Sequence, residues 1–137
     1  MRAFFYGTLL DADVRVAVLG PAAARRAVEP AVLAYYRRVT MRQRHYPVVV
    51  PDARAEVAGV VMRGLSRADF AKLLAYETDE YRAIDAEVAV ASGKRIAAKL
   101  FVASARALPS PLPWDLASWQ RRTKRAFLRR LRAGAGV

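Results

Sequence analysis

The sequence contains no cysteine and a single histidine, His45. The first absence removes disulfide frameworks, thiolate metal sites and thiol nucleophiles, and it fits a reducing, cytoplasmic setting. The second leaves no basis for a multi-histidine zinc site or a Ser-His-Asp triad. No run approaches the roughly 18–20 uncharged apolar residues needed to cross a bilayer, so no membrane span is expected. The first twenty residues hold only the short apolar stretch Ala3 to Leu10 before Asp11 and Asp13, without a small-residue cleavage site, and read as mature sequence. Neither a GxGxxG dinucleotide fingerprint nor a P-loop is present. Acidic residues end at Asp115, after which seven basic ones follow between Arg121 and Arg132.

What is present is enough for a core. The 137 residues are 55% hydrophobic and 26% charged, which excludes disorder over the whole length and suits one domain, 1–137. The formal charge is +12, from 24 basic and 12 acidic residues, and only four of the basic ones are lysine. The segment 114–132 reads as a basic C-terminal helix with Leu116, Trp119, Thr123, Phe127 and Leu131 along one stripe. Two readings of its arginines are open. They form a solvated helix face, or they bind nucleic acid or another polyanion with a steep salt dependence. No aromatic residues are interleaved to stack on bases, so specific nucleic-acid recognition is not expected.

Periodicity organises the rest. Ala3 to Tyr6 reads as a buried strand ending at Gly7, Ala12 to Leu19 as a short helix stopped by Gly20-Pro21, and Leu33 to Met41 as a strand. Pro47 and Pro51 reduce Val48-Val49-Val50 to an edge strand at best, and Ala55 to Arg63 is a further strand in which Gly59 marks a bulge or a close backbone approach. Alternating apolar residues in Tyr81 to Ala91 and Lys94 to Ala103 flank Ser92-Gly93 and predict a β-hairpin. The proline-rich segment Leu108 to Pro113 reads as a loop. A helix starts at Ser66, with Asp69 completing a capping box and Phe70, Leu73 and Leu74 on one face. The fold class is α+β with mostly antiparallel strands.

Two places attract chemistry. Glu77 follows Phe70 by seven residues, so at 100° per residue it lies only about 20° away around the axis and aims a carboxylate at the apolar face. A carboxylate so placed finds donors or has its pKa raised toward neutrality, the range a general acid–base uses. The alternatives are a helix that ends a turn early and an ion pair with Arg82. Asp79 and Glu80 read as turn residues facing water. The second place is Tyr6-Gly7-Thr8-Leu9, where a strand runs out through a glycine and successive amides are free to form an anion-binding nest.

These segments bring a family into view. Phe4-Phe5-Tyr6-Gly7-Thr8-Leu9, Tyr46-Pro47, Val57-Ala58-Gly59-Val60-Val61 and Leu74-Ala75-Tyr76-Glu77, followed by Tyr81-Arg82 and a hairpin, run in order from residue 4 to about residue 103. In this the chain resembles the gamma-glutamylcyclotransferase-like family, which includes gamma-glutamylamine cyclotransferases. It departs from the family pattern at Thr78, where a glycine usually follows the glutamate, and in having Ala75 before Tyr76 where an aspartate usually stands near the start of that phrase.

The resemblance implies a small mixed, mostly antiparallel β-barrel with flanking helices and a cavity for a small-molecule γ-glutamyl substrate. It implies that Tyr6, Gly7, Thr8, Leu9 and Leu10 bind this group, that Tyr81 packs or hydrogen-bonds there, and that Glu77 is the catalytic acid–base. The implied reaction forms 5-oxoproline and a free amine or amino acid without metal or cofactor. A noncatalytic module of the same fold, binding polyanions through its basic helix, is the alternative. Tyr6 reads equally as core aromatic or cavity wall, and Trp114 and Trp119 as anchors of the last helix. Residues 42–51 and 104–114 are expected to shape the pocket for the leaving amine, whose identity, like the oligomeric state, the sequence leaves open.

Overall fold

A computed structural model describes residues 1–134; the last three positions of the expected 1–137 domain lie outside the described residues. Five strands close into a mixed barrel in the order β3-β1-β5-β4-β2, with β2 returning to β3 and a sixth strand, β6, appended to β2. Their ranges are β1 Ala3–Phe5, β2 Val28–Met41, β3 Pro47–Met62, β4 Tyr81–Val90, β5 Arg95–Ala103 and β6 Pro109–Pro113. Only the β1–β5 pairing is parallel.

β1 explains its own apolar run. Phe4 faces the barrel interior with Leu33, Val61, Val88 and Leu100, whereas Ala3 and Phe5 face outward into a second core under the helices. A strand buried on both faces carries no polar alternation. At its crossing with β3, a Cβ on Gly59 would meet the Phe5 carbonyl oxygen at 2.3 Å, so the close backbone approach is real. The β4–β5 hairpin matches its sequence pattern, with Ile96, Ala98, Leu100 and Val102 directed into the barrel and Phe101 directed out.

Of two expectations about proline, one holds and one is corrected. Val48-Val49-Val50 belongs to the long strand β3, but in this stretch β3 pairs with β2 alone, from Thr40↔Pro47 to Arg37↔Val50, and β1 joins β3 only at Val60–Met62, so among the described residues its other side is an edge, as expected. Pro47 opens the strand, and Pro51 pairs with Tyr36 beside an irregularity in which Asp52 to Ala55 of β3 stand opposite Tyr35 alone. The segment Pro109–Pro113 is strand β6 rather than loop, on the open side of β2. There the Thr40 hydroxyl donates to the Pro113 carbonyl at 3.0 Å and Ser110 donates to the Thr40 carbonyl at 2.6 Å.

Five helices flank the barrel: α1 Ala12–Leu19, α2 Pro21–Ala24, α3 Arg67–Glu77, α4 Leu116–Arg122 and α5 Lys124–Arg132. Asp11 caps α1, and the Ser66–Asp69 capping box opens α3 as expected. Along α3, Leu73 is fully buried, but Leu74 points outward and is half exposed. The expected single C-terminal helix is broken at Thr123 into α4 and α5. Trp119 and Phe127 stack edge-on at 5.2 Å, and both tryptophans anchor this pair on the barrel. No helix among the described residues is long and apolar enough to cross a membrane.

Candidate active site

The site forms where β1 leaves the barrel. After Tyr6, the chain turns through Gly7 into a single 3-10 turn, Thr8–Leu10. The Leu10 and Asp11 amides are committed to the carbonyls of Gly7 and Thr8, at 2.9 and 3.1 Å. Those of Gly7, Thr8 and Leu9 meet no acceptor among the described residues. Two arginines hold the carbonyl side of the loop. Arg38 donates to the Tyr6 carbonyl at 2.9 Å, and because a trans peptide points its C=O and N–H in opposite directions, this fixes the Gly7 N–H. Arg15 donates to the carbonyls of Leu9 and Leu10 at 2.8 and 3.0 Å. Gly7 is required by contact: a Cβ there would press on the Pro47 ring at 2.9 Å.

Glu77 is the last residue of α3, and it lines the same cavity as Tyr6, Gly7, Thr8 and Leu9. The cavity is small and open at its mouth, and Tyr46, Pro47, Tyr76, Thr78, Tyr81, Phe101 and Phe127 complete most of its wall. Four phenols surround the carboxyl, yet each is engaged elsewhere. Tyr6 donates to the Phe101 carbonyl at 2.6 Å, Tyr81 to the Pro47 carbonyl at 2.5 Å, and Tyr46 to Glu80, while Tyr76 shares a 2.5 Å hydrogen bond with Thr8. The Glu77 carboxyl therefore has no hydrogen-bond or ion-pair partner among the described residues. Burial alone pushes its pKa from 4.5 to about 8. A position at the negative end of the α3 dipole acts in the same sense. Burial likewise raises Tyr46 to about 12, and raises Tyr6, Tyr76 and Tyr81 further, with the Glu77 charge adding to the last three. All four remain protonated at neutral pH.

The expected residues come together with two corrections. Leu10 is outside the cavity: its amide is committed within the 3-10 turn and its side chain packs on the outer core. The hydroxyl protons of Tyr6 and Tyr81 are held by backbone carbonyls, so these residues present ring walls to the cavity. Tyr6 is thus both core aromatic and wall. Arg82 is exposed and does not pair with Glu77. Asp79 does face water, beside Arg106, but Glu80 is mostly shielded and accepts the Tyr46 hydroxyl, with Arg44 at 3.7 Å.

The chain has relatives of known fold. The family described as gamma-glutamyl cyclotransferase, AIG2-like, matches residues 3–121. The chain belongs to that family. AIG2-like protein A of Arabidopsis thaliana is 26% identical over 129 residues, spanning 93% of this chain and 76% of the relative. A solution structure of an Arabidopsis thaliana protein superimposes with a TM-score of 0.70 at 26% identity, over 93% of this chain and 85% of the other. A structure described as gamma-glutamyl cyclotransferase shares the fold at a TM-score of 0.60 and 20% identity, over 80% and 71% of the two chains.

Within this gamma-glutamyl cyclotransferase, AIG2-like fold, Thr78 occupies a demanding position. Its φ of 60° and ψ of −169° fall in a region that is essentially glycine-only, and a β-branched side chain is strained there. Thr78→Gly is expected to stabilise the chain by about 1 kcal/mol, the strain of about 1–3 kcal/mol being offset in part by glycine's greater unfolded-state entropy. Thermal unfolding checks this. A rise in Tm of about 3–5 °C is expected, and a fall would show that Thr78 is held without strain.

Tyr76 and Phe127 are not among the expected site residues, whereas Tyr46 and Pro47 fall in the segment 42–51 expected to shape the pocket. Tyr76 lies inside a segment carrying the family resemblance, and that is its available signal. Phe127 has none, because α5 reaches the cavity only through tertiary packing against Trp119 and Tyr76. None of residues 104–114, the other segment expected to shape the pocket, lines this cavity.

Proposed function

We propose that this chain is a ring-closing cyclotransferase that converts a γ-glutamyl amine or γ-glutamyl amino acid to 5-oxoproline and the free amine. One observation supports this reading above the others: Glu77, whose carboxyl has no partner, and three residues whose amides are unbonded, Gly7, Thr8 and Leu9, line the same cavity. Attacker and electrophile belong to one substrate molecule, so the protein's task is to fold that molecule and move protons. The substrate's α-amine attacks its own γ-carbonyl, forming the ring C–N bond. The bond from that carbon to the leaving nitrogen breaks, and the leaving nitrogen takes up the proton. Glu77 as carboxylate accepts the proton released by the α-ammonium and returns one to the leaving nitrogen. Raising the carboxyl from 4.5 to about 8 brings it much closer to the pKa of an α-ammonium, so the transfer is far less uphill than to an ordinary glutamate. The Gly7–Leu9 amides hold the α-carboxylate or the developing oxyanion, and the aromatic walls exclude water.

Incubation with a panel of γ-glutamyl amines and γ-glutamyl amino acids, read by mass spectrometry, tests the reading. Equimolar 5-oxoproline and free amine are expected; release of glutamate instead would mean hydrolysis and contradict it. The pH dependence has a definite shape. Because the base must be ionised and the substrate's α-amine protonated, kcat/KM should rise with pH on an acid limb set by Glu77, whose titration burial has moved up from 4.5 to about 8, and fall on an alkaline limb as the free α-ammonium loses its proton. A profile flat from about pH 6 to about pH 9 would rule out Glu77 as the base.

A further inference from the structure

Two residues of the Glu77 cavity's wall, Tyr46 and Phe127, also line a second, open hollow, whose other sides carry Gln43, Arg44, His45, Thr123 and Arg130. Among the described residues no carboxylate lines this annex. Glu80 lies behind Tyr46, accepts its hydroxyl and stands 3.7 Å from Arg44, so the charge of Arg44 is partly offset. Arg130 has no ion-pair partner among the described residues and stands on α5, the helix that also brings Phe127 to the junction. The two hollows thus differ in chemistry as well as position. The first is aromatic, with one carboxyl and free amides; the second is basic.

A substrate whose γ-glutamyl part fills the first hollow must place everything beyond its γ-carbonyl outside, and the annex adjoins across the two shared side chains. We propose that the annex is the leaving-group subsite and that it selects amines bearing an anionic group, with Arg130 as the principal specificity-determining residue and Arg44 assisting. This rests on the ring-closing reading and adds the charge class of the leaving amine. A guanidinium gives directed, charge-assisted hydrogen bonds to a carboxylate, whereas a cationic leaving group meets like charge on two sides. The proposal also gives part of the arginine excess in the last helix a local task.

The test uses three conjugates of similar length: γ-glutamyl-β-alanine (anionic), γ-glutamylpropylamine (neutral) and γ-glutamyl-ethylenediamine (cationic). With the wild-type chain, kcat/KM for 5-oxoproline release should be about tenfold higher for the anionic than for the neutral conjugate, and lowest for the cationic one. Arg130→Gln should collapse the anionic-to-neutral ratio to within about twofold, whereas Arg129→Gln, the same charge change one position away, should preserve it. Equal kcat/KM for all three, or a ratio that survives Arg130→Gln, would overturn the annex proposal and leave the ring-closing reading standing. If no conjugate yields 5-oxoproline, the ring-closing reading falls and takes the leaving-group role with it.

Discussion

Glu77→Gln is expected to lower kcat/KM for 5-oxoproline release about a thousandfold and, in the same protein, to make the fold more stable above neutral pH. Both effects follow from one cause. The amide nearly matches the carboxyl in volume and polarity, so the cavity keeps its shape, but it has no proton to exchange. The stability effect follows from linkage. The carboxyl titrates at about 8 when folded and near 4.5 when unfolded. Below pH 4.5 it is protonated in both states and costs nothing; as pH rises toward 8 the unfolded chain releases its proton while the folded chain retains it, and stability is lost across that window. Glutamine has no such loss. Urea unfolding at pH 8 should show the variant more stable by about 2–4 kcal/mol, less than the full linkage value because part of Glu77 still touches solvent. At pH 4 the two chains should match. A variant as active as wild type would remove Glu77 from the mechanism, and one equally stable at pH 8 would mean that the carboxylate is solvated.

The second large effect concerns the crossing that delivers Tyr6 and Gly7 to the site. At Gly59 an added Cβ would sit 2.3 Å from the Phe5 carbonyl oxygen and 2.7 Å from the Phe4 ring. The nearest obstacle is backbone, which cannot rotate aside, so β1 or β3 must shift. Gly59→Ala is therefore expected to cost about 3 kcal/mol in urea unfolding, and to lower activity because β1 carries the amide loop. Gly93→Ala is the control. Gly93 is at φ 85° in the β4–β5 turn, with nothing within 4 Å of its Cβ direction, and the substitution should cost only about 1 kcal/mol. Equal losses at the two positions would mean that Gly59 matters through backbone freedom and not through the crossing.

The legible parts of this fold were those whose signals are local. The Ser66–Asp69 cap and the 3.6-residue period together placed Glu77 on the inner side of α3, because cap and period both act within a few turns. The alternation on either side of Ser92-Gly93 gave the β4–β5 hairpin for the same reason. Pro47 and Pro51 marked an edge correctly but not the length of β3, because the strand runs on to Met62 past an irregularity at Asp52 to Ala55 that only its pairing with β2 defines. The PSPLP segment misled because its strand exists only through pairing with the end of β2, about 70 residues away in sequence.

Within the site, the glutamate and the Gly7 turn were readable from residue types and spacing, whereas the reaction came from the family resemblance. Leu10 was misplaced because a 3-10 turn consumes the fourth amide after the strand, a detail that residue identity does not encode. The disposition of the four tyrosines depends on partners far away in sequence, the carbonyls of Phe101 and Pro47 for Tyr6 and Tyr81, Glu80 for Tyr46 and Thr8 for Tyr76. That disposition is what leaves Glu77 without a donor.

The claim on which the rest depends is therefore electrostatic, and carboxyl-carbon NMR of the chain labelled at glutamate measures it directly. The Glu77 resonance, assigned by its loss in Glu77→Gln, should titrate with a midpoint near 8 in the free protein. A midpoint near 4.5 would show a carboxylate in contact with water and would contradict the account.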